Sequence, residues 1–140
     1  MFVDACAIVS IFAGEDTAPA YEKALAGAEA PFTSPLAAWE AIIVLSRPEQ
    51  LNCQYRDAHA VVTEWLDLRN IGLRDTASLP DVLFHAVEVA ERHGVGKRAL
   101  SNFDCFHYAY AKVTGQPLLT FDALLRQTDV ETLPEGQGTD

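Results

Sequence analysis

The chain has 140 residues, of which 49% are apolar, and a formal net charge of −10. This length predicts one domain with a single sizeable core, and the apolar content excludes an intrinsically disordered chain. No apolar run approaches the roughly 20 residues of a membrane span and no basic segment precedes the apolar start, so we expect a cytoplasmic protein without membrane contact. The acidic charge argues against a nonspecific nucleic-acid binder, but it fits a chain that collects carboxylates for a metal ion.

Short apolar strands and helices alternate along the chain. The strand "MFVD" leads into the helix "ACAIVSIFAG", and the helix "TAPAYEKALAGA", the extended "PFTSP" and the helix "LAAWEAIIVLSR" follow. Next come the amphipathic helices "YRDAHAVVTEWLDLRNIG" and "LPDVLFHAVEVAERHG", with a candidate edge strand "LRD" between them. The loop "GVGKR", the helix "SNFDCFHYAYAKVTG", the strand "PLLTFD", the short helix "ALLRQ" and a last strand "DVETL" complete the order.

This alternation indicates an α/β sandwich around a mostly parallel sheet. We predict a single domain over residues 1–133 and a loose tail over residues 134–140. The two amphipathic helices offer more apolar surface than one small sheet needs to cover, which favours a homodimer. Their predicted apolar stripes are Val62, Trp65, Leu66 and Leu68 on the first, and Leu83, Phe84, Val87 and Ala90 on the second.

Four carboxylates stand out from their apolar surroundings. Asp4 and Asp122 each end a predicted strand, where open parallel sheets bind their ligands, and Glu40 and Asp104 lie on apolar helices. The three aspartates also stand at helix starts, where aspartate is a good N-cap worth ~1 kcal/mol, so each is either a cap or a ligand.

Glu40 cannot be a cap, because it lies in the middle of a helix. No basic residue lies within one helical turn of it, so it either faces solvent or meets a cation from elsewhere, such as a metal ion. Oxygen donors of this kind suit Mg²⁺ or Mn²⁺ and not zinc. The four histidines show no metal-binding spacing and are interpreted as surface or core-edge residues, and the three cysteines as packing residues: His59, His85, His93, His107, Cys6, Cys53 and Cys105.

The segments "MFVDACAIVSIF", "LAAWEAIIVLSR", "LSNFDCFHYAYAK" and "PLLTFDALLRQTDV" resemble, in order, the four acidic blocks of PIN-domain ribonucleases, and more narrowly of VapC toxins. The resemblance spans nearly the whole chain. It implies a Rossmann-like, three-layer fold in which Asp4, Glu40 and Asp104 hold Mg²⁺ or Mn²⁺. Asp122 matches the family ending "LLTxD" as a fourth ligand, and Asp129 matches its "TDV" at the edge of the site.

The resemblance further implies a toxin that cleaves transfer or ribosomal RNA as an endoribonuclease, with water activated by the metal ion as the nucleophile. It also implies a homodimer and a small VapB-like antitoxin. Lys97 and Arg98 are expected to contact RNA, because their loop enters the proposed site just before Asp104.

The sequence departs from the VapC pattern in three places, one of them in the last block, where "TFDALL" has one aspartate, Asp122, placed slightly earlier than in many VapC sequences. VapC proteins usually carry a serine or threonine close after the first aspartate, whereas this chain has Ala5 and Cys6, and no glycine precedes Asp104. These departures favour an alternative, a PIN-fold binding module with weakened catalysis. A Mg²⁺-dependent phosphatase of the aspartyl-phosphate type is a second alternative, but its D-x-D motif is broken by Cys6.

Overall fold

The structure is a computed structural model that describes residues 1–74 and 77–136. Within these ranges it contains the strands β1 Phe2–Val3, β2 Phe32–Thr33, β3 Gly72–Leu73, β4 Leu118–Leu119 and β5 Thr132–Leu133. The helices are α1 Ala5–Ala13, α2 Ala18–Ala26, α3 Pro35–Leu45, α4 Tyr55–Leu68, α5 Leu79–His93 and α6 Asn102–Thr114.

The strands form one sheet in the order β3-β2-β1-β4-β5, and every neighbouring pair is parallel. The α/β fold predicted from the alternation of elements is therefore confirmed. Helices cover both faces, as a parallel sheet requires. Because β1 lies in the middle of the order, the residue that follows it, Asp4, emerges at the centre of the carboxyl edge.

Side chains of the central strand alternate between the two faces of the sheet. Val3 packs against the face covered by α1 to α4, in one core with Ile8 and Leu45, whereas Phe2 packs on the other face with Tyr108 and Leu125. All six residues are 1% exposed or less. The sheet thus separates two apolar layers, and the three-layer arrangement follows.

The ends of the helices that border the carboxyl edge have local causes. The Ser34 Oγ accepts a hydrogen bond of 3.1 Å from the Ala37 N–H, and Pro35 occupies the first position of α3, where it has no N–H to lose. The helix α1 ends at Gly14, whose φ of 68° lies in the left-handed region that favours glycine.

The apolar stripe predicted on α5 is not the face that meets the core. Val82, Ala86 and Val89 are buried against α6 and the sheet, whereas three of the four predicted residues are exposed: Leu83 by 58%, Phe84 by 57% and Val87 by 52%. The helix carries apolar side chains on two faces, so helical spacing alone could not tell which face is buried.

The predicted tail is only partly covered by the structure. Residues 137–140, like the last residue of the predicted strand "LRD", lie outside the described residues. In the first part of the tail, the carbonyls of Pro134 and Gly136 accept hydrogen bonds from the Arg126 guanidinium. Among the helices of the described ranges, none combines the length and the apolar character needed to cross a bilayer.

Candidate metal centre

The Asp4 carboxylate lies at the carboxyl end of β1 and is 3% exposed as a residue. Its side chain accepts no capping hydrogen bond from a backbone N–H of α1, which excludes the capping role that the sequence left open. Its Oδ2 instead accepts hydrogen bonds from the Thr120 hydroxyl at 2.7 Å and from the Cys6 thiol at 2.9 Å. Two hydrogen bonds, one from a residue that follows β4 and one from a residue of α1, therefore hold Oδ2. Oδ1 takes part in neither of them.

The Glu40 carboxylate meets a histidine. The His107 Nε2 lies 2.6 Å from Glu40 Oε2 and 3.5 Å from Asp4 Oδ1. One ligand atom from each of these three side chains lies within 4.8 Å of the other two. We call Asp4, Glu40 and His107 the buried ligand group, in which Asp4 and His107 are buried and the Glu40 side chain is 27% exposed. The helices α3 and α6 supply its second and third members across the end of β1.

His107 is the partner of Glu40 that the sequence did not locate. Its side chain is 0% exposed. Burial by itself would lower the pKa of His107, but the hydrogen bond to Glu40 and the surrounding carboxylate charges outweigh it and raise that pKa above its usual value. The second ring nitrogen, Nδ1, is buried and has no hydrogen-bond partner among residues 1–74 and 77–136.

The interpretation of His107 as a surface or core-edge residue was therefore wrong. A signal was available, because His107 follows Asp104 by three residues in one helix, and residues three apart share a helical face. The interpretation of Cys6 as a packing residue was wrong too, since Cys6 is exposed and its thiol contacts Asp4, Tyr21 and Thr120.

Asp104 does cap its helix. Its Oδ2 accepts the Ser101 N–H at 2.9 Å, and the Ser101 hydroxyl accepts the Asp104 N–H at 3.0 Å, which is a capping box. Burial raises the pKa of Asp104, and so do the nearby charges of Asp4 and Asp122, while the Ser101 N–H opposes the rise. The pKa of Asp104 thus responds to the charge of Asp4, a member of the buried ligand group.

Asp122 also closes a local turn. Its Oδ1 accepts hydrogen bonds of 2.9 Å from both Leu124 N–H and Leu125 N–H, and it leads into the short 3₁₀ turn Leu125–Gln127. Its own N–H donates to the Thr120 hydroxyl at 3.0 Å. Asp122 is therefore connected to Asp4 through one shared hydroxyl, although it lies outside the buried ligand group.

Thr120 supplies a hydroxyl that the sequence did not place. The family pattern puts this group just after the first aspartate, where the chain has Ala5 and Cys6. The structure brings it from the end of β4 instead, with the Thr120 side chain completely buried beside Asp4. Because β4 pairs with β1 in parallel, residues that follow the two strands become neighbours at the same edge. A hydroxyl that follows β4 thus lies beside Asp4.

Asp129 is held by cations at the other end of α6. Its carboxylate accepts hydrogen bonds from Lys112 at 2.7 Å and from the Tyr108 hydroxyl at 2.6 Å, and Arg92 lies 3.7 Å away. Lys112 follows Asp104 by eight residues, which is about 12 Å along a helix. These contacts tie the loop before β5 to α5 and α6, which is a structural role.

We therefore expect Asp129→Asn to leave RNA cleavage unchanged and to lower stability slightly. Lys112 and Tyr108 hold the pKa of Asp129 at about 2, below its ordinary 3.8. The stabilisation is thus complete above about pH 4 and is lost as the pH falls toward 2. Denaturant midpoints of variant and wild type should converge over that interval. A variant that melts normally but no longer cleaves RNA would assign Asp129 to the site.

Lys97 and Arg98 lie in the loop between α5 and α6, and both are exposed. The structure brings neither into the buried ligand group. Arg98 has a φ of 64°, an uncommon value for a residue with a side chain, which turns the chain toward the start of α6. Neither side chain forms an ion pair within the described part of the chain, so their charges are available to a ligand.

The buried ligand group fits a divalent cation. Asp4 and Glu40 are bonded to no lysine or arginine within residues 1–74 and 77–136, and a cation would stabilise the buried Asp4 carboxylate. Carboxylate oxygens suit Mg²⁺ and Mn²⁺, and the adjoining imidazole nitrogen extends the donor set toward transition-metal ions. Asp104 and Asp122 each keep one carboxylate oxygen without a hydrogen bond among the described residues.

Comparison with known proteins agrees with this geometry. Residues 1–131 match the PIN domain family. The chain is 34% identical over 135 residues to Ribonuclease VapC36 of Mycobacterium tuberculosis, covering 94% of this chain and 91% of that protein. It is 35% identical over 133 residues to Ribonuclease VapC of Mycolicibacterium smegmatis, covering 93% of this chain and 97% of that protein.

Proposed function

The chain belongs to the PIN-domain family and within it to the VapC ribonucleases, and from this membership we propose that it is the toxin of a toxin–antitoxin pair. In this proposal it is a Mg²⁺-dependent endoribonuclease that cleaves transfer or ribosomal RNA, and Mn²⁺ can substitute. The observation that carries the proposal is the buried ligand group, which gathers two carboxylates and an imidazole at the carboxyl edge of the sheet. The hydroxyl of Thr120 beside Asp4 argues against the weakened binding module.

The four acidic residues are assigned different roles. Asp4 and Glu40 bind the ion, and Thr120 and Cys6 orient the Asp4 carboxylate for it. A bound divalent ion supplies charge neutralisation at the phosphate and an acidic water. Asp104 and Asp122 each offer one oxygen without a hydrogen-bond partner in the described ranges, and these oxygens would accept hydrogen bonds from water around a bound ion.

The proposed cleavage mechanism is tested by the end groups of the RNA products. With water as the nucleophile, the products carry 5′-phosphate and 3′-hydroxyl ends. RNA from cells that briefly express the chain is sequenced at its 5′ ends, and purified protein is assayed on the same RNA in Mg²⁺, in Mn²⁺ and in chelator. Cleavage that persists in chelator, or 2′,3′-cyclic phosphate ends, would contradict the metal-dependent hydrolysis.

The net charge of −10 opposes RNA binding, so local cations are needed. Lys97 and Arg98 are proposed as phosphate contacts, because they precede the helix that carries Asp104 and His107 and have no ion-pair partner among the described residues.

A VapB-like antitoxin is proposed as the partner chain, and its affinity is expected to weaken as Mg²⁺ rises. An arginine or lysine from the antitoxin would meet the carboxylates of Asp4, Glu40 or Asp104 and compete with the ion, and such charge pairs contribute a few kcal/mol to interfaces. Calorimetric titration across a magnesium series measures the effect. The Asp4→Asn variant should lose most of this dependence on magnesium. An affinity that changes neither with magnesium nor with the substitution would mean that the antitoxin does not inhibit through these carboxylates.

A symmetric homodimer is proposed through the exposed stripe of α5. Leu83, Phe84 and Val87 are each more than half exposed on one helix, and a second copy of the same stripe would cover them. We expect Leu83→Glu to shift the mass measured by light scattering from dimer to monomer. The matched control is Leu68→Glu on α4, where Leu68 is 75% exposed and outside the stripe. A monomer mass for the wild type at micromolar concentration would contradict the proposal.

A further inference from the structure

Two exposed aromatic side chains, one on α3 and one on α4, contact each other. Trp39 on α3 is 43% exposed and Tyr55 on α4 is 58% exposed, and their ring centroids are 5.6 Å apart with an interplanar angle of 67°. We call them the aromatic pair. Trp39 directly precedes Glu40, a member of the buried ligand group, so the pair adjoins the site along the chain itself.

Free cations lie around this pair. Five of the ten lysines and arginines are bonded within the protein: Arg69 to Glu22, Arg92 and Lys112 to Asp129, and Arg74 and Arg126 to backbone carbonyls. The side chains without an ion pair or hydrogen bond among the described residues are Lys23, Arg47, Arg56, Lys97 and Arg98. Arg56 follows Tyr55 in the chain, and Arg47 lines with Tyr55 a cavity of about 470 Å³.

We propose that Trp39, Tyr55 and Arg47 form a subsite for an unpaired base and a phosphate of single-stranded RNA. The subsite holds the strand next to the phosphate that is cut at the buried ligand group. This inference rests on the proposed ribonuclease function and adds a binding site to it. Each base has a π face that stacks on an aromatic ring, and this attraction needs no charge. Stacking therefore offsets the repulsion between RNA and a protein of net charge −10.

The spacing along α3 suits a short run of nucleotides. Helical hydrogen bonds continue past the end of α3, with Ser46 N–H donating to the Ile42 carbonyl at 3.0 Å and Arg47 N–H to the Val44 carbonyl at 3.2 Å. Arg47 follows Glu40 by seven residues, which is about 10 Å along the helix axis. That distance corresponds to about three stacked nucleotides at ~3.4 Å each. A strand of about this length can thus reach from Glu40 to Arg47.

Binding is measured without cleavage, by fluorescence anisotropy of a labelled unstructured oligoribonucleotide with the full-length protein in chelator. Trp39→Ala and Tyr55→Ala should each raise the Kd about tenfold, within the range of stacking losses. Trp39→Phe, which keeps a ring, should retain most of the affinity. Arg47→Ala should weaken binding and reduce its salt dependence.

Two matched controls accompany these variants. Leu68→Ala removes an exposed apolar side chain from α4, the helix of Tyr55, and Lys23→Ala removes a free cation from α2. Neither should change the Kd. In cleavage assays with Mg²⁺, the variants of the aromatic pair should raise KM and leave kcat nearly unchanged. Thermal melts of each variant show that the fold is retained, and Tyr55→Ala tests the subsite without altering α3.

The possible results distinguish a failure of the subsite proposal from a failure of the proposed ribonuclease function on which it rests. A wild type that cleaves RNA, with Trp39→Ala and Tyr55→Ala binding as tightly as the controls, overturns the subsite and leaves the ribonuclease standing. Loss of dimer mass in Trp39→Ala with an unchanged RNA Kd identifies the pair as a protein contact and also overturns it. Equal competition by fully double-stranded RNA contradicts stacking of an unpaired base. A wild type that neither binds nor cleaves RNA overturns both proposals.

Discussion

The Asp4→Asn variant is expected to lose RNA cleavage by at least about 100-fold while it keeps its fold. Asparagine preserves the shape of the side chain and removes the charge that holds the ion. Even residues that only orient metal ligands cost 10- to 100-fold when they are changed, so a direct ligand should cost more. The rate is measured on purified RNA in saturating Mg²⁺, beside a thermal melt of the same preparation.

The fold of this variant should survive for a structural reason. Asp4 makes no capping hydrogen bond to α1, so the helix loses nothing at its start. The asparagine carbonyl can still accept the Thr120 hydroxyl, which now donates to Oδ2 at 2.7 Å. Asp129→Asn is the matched control, because it makes the same chemical change in a carboxylate outside the site. An Asp4→Asn protein that melts normally and cleaves RNA at the wild-type rate would show that the carboxylate is not a metal ligand.

The His107→Leu variant is expected to lose roughly 2–4 kcal/mol of unfolding free energy in metal-free buffer, toward the low end of the cost of breaking a buried ion pair. The change leaves Asp4 and Glu40 facing each other without the imidazole between them. For a chain of this length the loss corresponds to a fall in Tm of roughly 5–15 °C. Calorimetry in chelator measures it.

The stabilisation that His107 contributes should depend on pH. The pKa of His107 is raised in the folded protein, so the stabilisation is fully present below about pH 6.5 and is lost as the pH rises through the folded-state value. The difference in Tm between wild type and His107→Leu should therefore be largest in mildly acidic buffer and shrink with rising pH. The opposite trend would contradict a protonated His107.

The same variant should respond strongly to metal. If the carboxylates bind the ion, Mn²⁺ or Mg²⁺ replaces the missing positive charge and restores part of the lost stability. His59→Leu serves as the control, because His59 is exposed on α4 and its replacement should change stability by less than about 0.5 kcal/mol. A His107→Leu protein as stable as this control in metal-free buffer would mean that the imidazole does not neutralise the carboxylates.

Glu40 shows how far the sequence could lead. An acid in the middle of an apolar helix, with no basic residue within a turn, predicted either a solvent-facing side chain or a cation from elsewhere, and that reasoning needed no structure. The identity of the protein group that meets it was out of reach, because His107 is 67 residues away along the chain and only the packing of α3 near α6 brings the two together. The prediction that Glu40 and Asp4 bind metal stays a prediction.

For the three aspartates at helix starts, the sequence could not decide between two roles. From the sequence each was either a cap or a ligand, because both roles need the same residue at the same place. The structure separates them by side-chain contacts: Asp104 and Asp122 make capping hydrogen bonds and Asp4 makes none. A side-chain torsion decides between these outcomes, and it depends on neighbours such as Thr120 from another strand.

The sequence by itself determined the order and kind of the elements, because strand and helix patterns are local, and it determined which strand ends carry acids. Three features depended on the tertiary structure, since each requires parts of the chain distant in sequence to meet. The parallel pairing of β1 with β4 brings Thr120 to Asp4, and the approach of α6 to α3 brings His107 to Glu40. The burial of Val82 and Val89, and not Leu83 and Val87, on α5 was decided by where α6 lies, because a helix that is apolar on two faces has no local signal for the one that meets the core.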